Sequence, residues 1–530
     1  MSKTISCMLD CSRNAVPNLK FIKEFIVALK KCGYNQLQLY MEDTYKIEGE
    51  PFFGYFRGAY SKEELQEIDE FAFAHGIELV PAIQVLGHLK NIFMWREYDQ
   101  IHDTADCLLA KEEKTYELID KMIKQVSSTF KTNKINIGMD ESFSSGRGYF
   151  LDKFGYEKAD DIFIYHLGRV SKILEKYNGH GLMWGDMFYR NMNHGQYYTK
   201  TPIVSESTKK LLPSNISIIY WDYYSLDAET ISAMAESAKG LCDDAYFAGG
   251  VWSWVGFMPR CDFAIKQTKV AIENVKKAGI SQFINTEWGD NGAECSKLAV
   301  LPSLYYFAQC INNKNDEEIK ECFKETFDMD FDTFISLKNI NDLDNVDTDV
   351  HNVCKYMLYN DLMMGIYDNT VNTNKAKCFT EAKKIYEKQL HHPTFGYIFK
   401  TAYELANVLE IKYDLGLEIR KAYFSKDKSY LNVVIDKITD LKNRLHNFYE
   451  AFKNQWYIEN KLNGFEIQTQ RIGGLILRCD EVKELLVSYR DNKIDKIDVL
   501  EENVLPFKDV KEGTACCINS YEGPSSVNSH

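Results

Sequence analysis

Two adjacent carboxylates close an apolar stretch of the sequence. Asp140 and Glu141 directly follow the alternating run K-I-N-I-G-M at 134–139. Such a run is typical of a buried strand, and neither acid has a basic neighbour in sequence. Like charges held side by side repel each other, so a fold gains nothing from placing both there. We therefore predict that this pair serves a function rather than packing.

Other strand-like segments also end in residues that can bind a sugar. Aromatic faces stack on the C–H face of a sugar ring, while carboxylates and arginine form strong, charge-assisted hydrogen bonds with its hydroxyl groups. A glycosidase also needs a protonated acid beside the leaving oxygen. The residues of these types at the strand ends are Asp10, Arg13, Glu42, Asp43, His88, Trp184, Asp186, Tyr220, Asp222, Tyr223, Trp252, Trp254, Glu287, Trp288 and Asp290.

Taken singly, several of these residues have simpler explanations. Asp10 is well placed to cap a helix, and Arg13 has the option of a surface ion pair. His88 suits a satisfied core histidine, and Tyr220 and Tyr223 suit packing in a tyrosine-rich chain. The prediction of a site therefore depends on the set of strand ends together.

The elements that must position these residues alternate along the first 310 residues. The predicted strands are 4–10, 35–41, 77–83, 134–139, 180–185, 215–221, 245–251 and 281–286. Amphipathic segments such as 62–75, 112–130 and 158–177 predict helices between them. Eight strands with following helices in about 300 residues predict a (β/α)8 TIM barrel, whose active site lies at the C-terminal strand ends. A doubly wound sheet is the alternative, but no GxGxxG or phosphate-binding loop is present.

The pattern changes after about residue 312. Helical periodicity dominates and proline almost disappears. We predict a catalytic barrel over 1–312, an all-α domain over 313–506, and a partly disordered tail over 507–530. The polar stretch 456–474 is unusual for a helix bundle. It predicts either a return to the barrel mouth or a second subunit, or simply a tight connection between helices.

Composition excludes several classes of protein. The net charge of −14 argues against a nucleic-acid partner. No CxxC pair or close histidine cluster supports a metal site, and no cofactor is predicted. The fourteen cysteines stand mostly alone in apolar segments, which favours reduced thiols and a cytoplasmic protein. No signal peptide is evident at the N-terminus, and no run reaches the ~20 apolar residues of a membrane span.

The ordered motifs of residues 5–295 resemble glycoside hydrolase family 20, the N-acetyl-β-hexosaminidases. The chain is most similar to the compact bacterial branch with a helical C-terminal domain. The motifs that carry the resemblance are L-D-C-S-R (9–13), N-Q-L-Q-L-Y-M-E-D (35–43), G-H (87–88), N-I-G-M-D-E (136–141), M-W-G-D-M (183–187), Y-W-D (220–222) and E-W-G-D (287–290). Asn136 departs from the family, many of whose members carry histidine there, and Gln38 and Tyr40 replace a histidine-rich strand.

The resemblance implies an exo-acting, retaining hydrolase of terminal β-linked GlcNAc or GalNAc. In this family the substrate's own acetamide oxygen attacks the anomeric carbon, giving an oxazolinium ion. By position, Glu141 resembles the general acid and base, and Asp140 resembles the anion that orients the acetamide. The Asp140 charge is then expected to raise the pKa of Glu141. Asp43 and His88 resemble the relay that holds the acid.

The same matching assigns the remaining site residues. Arg13 resembles the clamp on the 3- and 4-hydroxyls, and Tyr220 or Tyr223 the donor to the acetamide oxygen. The tryptophans and aspartates expected to enclose and bind the sugar are Trp184, Trp252, Trp288, Asp222 and Asp290.

Two other readings remain from the sequence. One is a sugar-binding barrel without activity, although both acids are present. The other is a metal-dependent barrel hydrolase, which normally needs clustered histidine ligands. The expected partner is a β-linked N-acetylhexosaminide, with a homodimer as a further possibility and no nucleic-acid or membrane partner.

Overall fold

Eight parallel strands close into a barrel in the order of the sequence. The structure is a computed structural model, and it describes residues 3–341, 350–507 and 510–528. Each strand begins and ends within one residue of its predicted bounds. The (β/α)8 prediction is therefore confirmed. The strands are β1 (Thr4–Asp10), β2 (Gln36–Tyr40), β3 (Glu78–Ala82), β4 (Lys134–Gly138), β5 (His180–Trp184), β6 (Ile216–Trp221), β7 (Tyr246–Gly250) and β8 (Gln282–Glu287).

Helices connect the strands, except that the β5–β6 connection holds only two short ones. The first helix shows how local sequence sets its limits. The Asn18 side chain accepts a hydrogen bond from the Phe21 N–H, and Gly33 ends the helix with a φ of 99°. The helices are Leu19–Cys32, Lys62–Ala74, Glu113–Ser127, Tyr149–Phe154, Ala159–Lys176, Asp186–Met192, Glu206–Lys209, Ala228–Leu241, Cys261–Lys277 and Leu301–Ile311.

Alternate strand residues fill the barrel interior. Because successive side chains of a strand point to opposite faces, the inward set is recognisable as one apolar cluster. It contains Met8, Tyr40, Ala82, Leu182, Trp184, Ile219, Tyr246, Ala248 and Ile284, with Trp221 and Trp288 packed against it.

Amide side chains form a polar layer between β2 and β4. The Asn136 Nδ2 donates to Gln38 Oε1 at 3.0 Å, and Gln38 donates in turn to Gln36 at 3.2 Å. All three residues are buried. These three amides therefore hydrogen-bond to one another, as buried polar groups require.

The chain divides into two compact units. The first comprises residues 1–251, 264–288 and 303–319, and the second comprises 252–263, 289–302 and 320–530. Three long helices of the second unit pack in sequence as neighbours, so the helical prediction for this region is confirmed. The helices after residue 312 are Asp316–Phe327, Phe331–Ile335, Val353–Tyr359, Lys377–Glu387, Gly396–Ser425, Lys428–Glu459, Phe465–Arg490, Asp498–Glu501 and Glu522–Ser525.

The polar stretch 456–474 ends one long helix and begins the next. Gln468 donates to the Gly292 carbonyl at 2.9 Å, and Arg471 donates to the Asn291 carbonyl at 2.8 Å. The stretch therefore contacts the segment that directly follows β8 in the chain. These contacts lie within the second unit.

The final segment of the chain also contacts the helical unit. The Asn352 side chain donates from Nδ2 to the Ile518 carbonyl and accepts from the Ile518 N–H at Oδ1. The Arg471 guanidinium lies 3.9 Å from the Tyr521 ring centroid. The predicted barrel, helical domain and tail include positions that lie outside the described residues, namely 1–2, 342–349, 508–509 and 529–530. Within the described ranges, no helix has both the length and the apolar content to cross a bilayer.

Candidate active site

Asp140 and Glu141 stand at the C-terminal end of β4, as the sequence predicted. The Asp140 side chain is 12% exposed and the Glu141 side chain 51% exposed. One carboxylate is therefore enclosed by protein while the other reaches open space. This difference allows the two adjacent acids to take different roles.

The backbone before the acids is bent by an irregularity in β4. The register with β5 shifts between Asn136 and Gly138, and Gly138, Met139 and Glu141 have φ values of 68°, 70° and 48°. Left-handed conformations at non-glycine residues cost free energy and concentrate at functional sites. Because of the bulge and these conformations, the two acid side chains do not point in the alternating directions that a regular strand would give them.

Gln84 holds this bend in place. Its Oε1 accepts from the Met139 N–H at 3.1 Å, and its Nε2 donates to Asp140 Oδ1 at 2.7 Å. A Cβ at position 138 would lie 2.1 Å from Gln84 Oε1, so a larger residue there would displace this amide. Gln84 thus fixes both the backbone and the carboxylate of the pair.

His88 lies between the two acids. Its Nε2 is 3.3 Å from Asp140 Oδ2 and 3.7 Å from Glu141 Oε2. Burial opposes the charged imidazole, but the charge and hydrogen bond of Asp140 outweigh burial and raise the pKa of His88 to about 9. Burial likewise opposes the charged Asp140, yet His88 and Gln84 lower the pKa of Asp140. The pair is therefore an ion pair at neutral pH.

Glu42, two residues beyond β2, is a carboxylate that interacts electrostatically with His88. It is buried, and its Oε1 accepts from Arg13 Nη1 at 2.7 Å and from the Tyr40 hydroxyl at 3.1 Å. Burial raises the pKa of Glu42 to about 7 despite the nearby Arg13, and the charge of His88 also lowers it. Arg13 is thereby held at the strand ends rather than on an outer surface.

Asp43 has different neighbours. Its carboxylate pairs with Arg57 at 3.2 Å and is buried. Both Asp43 and His88 are among the described residues, and no ion pair or hydrogen bond joins them. The relay role expected for Asp43 stays a prediction, while Glu42 has the electrostatic contact with His88.

Asp186, after β5, supports the acid pair from another side. Its Oδ2 accepts the Glu141 N–H at 3.0 Å, and its side chain is fully buried. Burial, together with the charge of Asp140, raises the pKa of Asp186 to about 7. Asp186 therefore fixes the Glu141 backbone, whose φ is left-handed.

The two candidate tyrosines point in different directions. Tyr220 follows the inward-facing Ile219, so it faces away from the barrel interior, with ring contacts to Tyr197 and Phe247. Its hydroxyl donates to Asp222 at 2.9 Å. Asp222 is buried and accepts the Tyr224 and Ser225 N–H groups, so both residues support the turn after β6.

Tyr223 faces the acid pair instead. It is buried, stacks on Trp221 with centroids 5.1 Å apart, and interacts electrostatically with Asp140 and through hydrogen bonds with Trp288 and Thr286. Burial raises the pKa of Tyr223 well above its usual value. A neutral phenol, which accepts hydrogen bonds from Trp288 and Thr286 and keeps its own hydroxyl proton, thus lies within electrostatic range of Asp140.

Trp184 and Trp288 form an aromatic wall at the same strand ends. Their ring centroids lie 5.9 Å apart, and Tyr40 meets Trp288 edge-on at 4.8 Å. Trp252 and Asp290 belong to the second unit. There Trp252 adopts a φ of 61° and packs against Trp254 at 4.8 Å.

Sequence reasoning did not select Glu42, Gln84 or Asp186 as site residues. Glu42 and Asp186 were visible at strand ends, but nothing in sequence separates Glu42 from Asp43. Gln84 lies two residues beyond β3 and carries no charge, so no pattern marked it. Within the described ranges, no group of three or more His, Cys, Asp or Glu side chains has the geometry of a metal site.

Raising the pH from 6.5 to 9 is expected to cost the wild-type protein more stability than a His88→Gln variant. The folded pKa of His88, about 9, exceeds its ordinary value of 6.5. The stabilisation from the charged imidazole is therefore complete below about pH 6.5 and is lost as the pH rises through about 9. Urea unfolding of both proteins at pH 6.5 and 9 measures the difference, and an equal difference at the two pH values would contradict the assignment.

Two family models match the chain. "Glycosyl hydrolase family 20, catalytic domain" matches residues 6–242, and "Glycoside Hydrolase 20C C-terminal domain" matches residues 332–518. Together they cover more than half of the sequence. The first match includes β1 to β6 and the acid pair, and the second includes the long helices.

Similar proteins carry hexosaminidase names. Hexosaminidase D of Bos taurus is 23% identical over 274 residues, which are 49% of this chain and 73% of that protein. Hexosaminidase D of Homo sapiens is 26% identical over 140 residues, or 26% of this chain and 29% of that protein.

Solved structures with a partial likeness to this chain include two glycosidases. The GH20 exo β-N-acetylglucosaminidase from Vibrio harveyi is 15% identical with a TM-score of 0.46, covering 63% of this chain and 58% of that one. The β-N-acetylhexosaminidase from Bacteroides fragilis is 18% identical with a TM-score of 0.47, covering 61% and 69%. The chain thus spans less than two thirds of the human and Vibrio proteins.

The acid pair lies inside the matched catalytic region, and the long helices lie inside the matched C-terminal region of the same family. The chain therefore belongs to glycoside hydrolase family 20.

Proposed function

We propose that the protein is an exo-acting, retaining β-N-acetylhexosaminidase that removes terminal GlcNAc or GalNAc. The observation that carries the proposal is the geometry of Asp140 and Glu141, with His88 Nε2 at 3.3 Å and 3.7 Å from them. An enclosed anion next to an accessible acid suits a reaction in which the protein supplies a proton and a charge but no nucleophile.

Glu141 donates the proton to the leaving oxygen. Its side chain is half exposed, so it can reach a bound glycoside, and its backbone N–H is held by Asp186 at 3.0 Å. After the leaving group departs, the same carboxylate accepts a proton from the attacking water. General acid and base steps of this kind typically contribute about 10²–10⁴-fold to the rate.

Asp140 orients the acetamide of the substrate. Its carboxylate is ionised, because His88 and Gln84 lower its pKa, and it can accept the acetamide N–H. The acetamide oxygen then attacks the anomeric carbon, and the Asp140 charge balances the positive oxazolinium ion. Intramolecular attack of this kind reaches effective molarities of about 10⁵ M or more.

Tyr223 donates to the acetamide oxygen in this proposal. It interacts with Asp140 and Trp288, whereas Tyr220 bonds to Asp222 away from the barrel interior. Trp184 and Trp288 provide the wall for the sugar ring, and Arg13 binds its hydroxyl groups. The binding roles expected for Asp222, Trp252 and Asp290 stay predictions.

A reducing compartment such as the cytoplasm suits the chain. None of the fourteen cysteines, all among the described residues, forms a disulfide. Burial raises the pKa of many of these thiols, including Cys32, Cys107 and Cys354. Buried thiols with raised pKa values react slowly. A homodimer stays a prediction.

Three aryl glycosides test the proposed function. The purified protein is expected to hydrolyse the β-N-acetylglucosaminide, the β-N-acetylgalactosaminide or both, and to leave the β-glucoside intact. The plain glucoside lacks the acetamide that attacks the anomeric carbon, so it has no route to the oxazolinium ion. Equal rates on the glucoside would contradict the mechanism, and sugar binding without hydrolysis of any glycoside would favour a non-catalytic barrel.

A further inference from the structure

A second pocket of about 340 Å³ borders the loop that carries Glu141. The Phe143 N–H bonds to the Glu141 carbonyl at 2.8 Å, and Met187 directly follows Asp186, which binds the Glu141 N–H. One wall of the pocket thus lies two residues after Glu141, and the other adjoins Asp186, which binds the Glu141 N–H. Its lining includes Phe143, Asp160, Met187, Arg190, Asn191 and His194.

Phe143 gives this pocket an apolar platform. Phe143 is 57% exposed, and the Arg190 guanidinium lies 5.1 Å from the centroid of its ring. Arg190 also lies 5.8 Å from the Tyr197 ring centroid. An exposed ring held by a stacked guanidinium can take the C–H face of a sugar while the arginine contacts its substituents.

The Arg190 guanidinium is only partly hydrogen-bonded within the described chain. It donates from Nη1 to the Gly195 carbonyl at 2.9 Å, but no carboxylate of the described residues lies within 4.0 Å of it. Its Nε is buried without a hydrogen-bond partner in the described chain, as is Asn191 Nδ2. Buried polar groups are normally satisfied, so both nitrogens can donate to an acceptor that enters the pocket. An unpaired arginine is unexpected in a chain of net charge −14.

Asp160 opposes an anion in the same pocket. It is exposed in the first turn of Ala159–Lys176 and lies more than 4.0 Å from Arg190. Asp160 is exposed to solvent while Arg190 is half buried. Solvent and salt therefore weaken the repulsion of a bound anion by Asp160 more than its attraction by Arg190. Arg190 is therefore the less solvated of the two charges in the pocket lining, and Asp160 limits its attraction for an anion.

We propose that this pocket binds the leaving-group sugar and that Arg190 selects a sugar with an anionic substituent, a carboxylate or a sulfate. The inference rests on the proposed function, because the leaving group must depart next to Glu141. A guanidinium binds both anions through charge-assisted hydrogen bonds, and Phe143 stacks on the sugar ring.

Matched substrates test the selection. The N-acetylhexosamine that the protein cleaves from aryl glycosides, GlcNAc or GalNAc, is β-linked to glucuronate and compared with the same sugar β-linked to glucose. The same N-acetylhexosamine linked to 6-sulfated galactose is compared with its unsulfated counterpart. We expect kcat/KM to be about tenfold higher for the anionic member of at least one pair at low salt, and the sulfate arm distinguishes the two anions. The 2-acetamido-glucosyl fluoride, which has no leaving-group sugar, is assayed beside them.

Variants of opposite sign sharpen the test. Arg190→Gln is expected to bring the anionic-to-neutral ratio of kcat/KM close to one, and Asp160→Asn to increase the ratio about threefold. Arg169→Gln is the matched control, since Arg169 pairs with Glu113 at 2.8 Å on the outer helices. Its ratio should equal that of the wild type.

A wild-type ratio of one for both pairs, or an unchanged ratio in Arg190→Gln, would overturn the inference. If Arg190→Gln does not fold, the Asp160→Asn ratio decides, and a ratio that does not rise would overturn it as well. Failure of the wild type to cleave both this fluoride and its 2-acetamido-galactosyl counterpart would instead overturn the proposed function. The two failures are thus distinguishable.

Discussion

Replacing Glu141 by Gln is expected to reduce kcat/KM for an N-acetylglucosaminide with a sugar leaving group by about a thousandfold or more. A sugar alkoxide is a poor leaving group and requires a proton from Glu141, and a positioned general acid typically contributes about 10²–10⁴-fold. A glycoside with an activated aryl leaving group departs without protonation. It is therefore expected to retain much more of its rate in the first step.

A comparison of two substrates measures this effect. Steady-state kinetics on a GlcNAc disaccharide and on a dinitrophenyl glycoside give the separate losses. Glu113→Gln, which removes a glutamate paired with Arg169 on the outer helices, serves as the control. Equal losses on both substrates would contradict the role of Glu141 as the proton donor.

Replacing Asp140 by Asn is expected to lower kcat by about 10²–10³-fold. The enclosed carboxylate balances the positive charge that develops on the acetamide, and removing one group that stabilises such charge typically has an effect of this size. Asparagine has the same shape and can still accept from Gln84, so the fold should be retained. His88 loses its ionic partner at 3.3 Å in this variant.

The acetamide itself provides the measurement for Asp140. Fluorine on the N-acetyl group weakens its oxygen as a nucleophile, so wild-type kcat should fall steeply along a fluorinated series. Asp69→Asn is the control, because Asp69 is equally buried but pairs with Lys131 at 3.2 Å outside the site. Unchanged turnover in Asp140→Asn would contradict the role of Asp140 in orienting the acetamide. A wild-type kcat that does not change along the fluorinated series would contradict it as well.

The barrel was predictable because its information is local. Each strand is a short apolar run, and helices between the strands carry their own capping signals, such as the capping box of Ser61 and Glu64. The number and alternation of these elements leave few possible folds. The position of Asp140 and Glu141 after β4 follows from the same local pattern.

The directions of individual site residues were not predictable in the same way. The Y-W-D motif made Tyr220 one candidate donor to the acetamide oxygen. Side chains alternate between the two faces of a strand, and in β6 this alternation turns Tyr220 away from the barrel interior. Glu42 and Asp43 are neighbours of similar chemistry, and only the placement of Arg13 and Arg57 separates their environments. Gln84 became visible only because the bulge in β4 brings Met139 and Asp140 to its amide.

The sequence by itself determined the class of fold, the two regions of the chain and the location of an acid pair at a strand end, because periodicity and motif order are properties of neighbouring residues. The tertiary structure decided which acid is enclosed, which histidine and carboxylates adjust the charge of the pair, and which tyrosine faces it. Those features depend on contacts between segments such as Gln84 and Asp140, 56 residues apart, and burial and electrostatic interaction exist only once the barrel has closed.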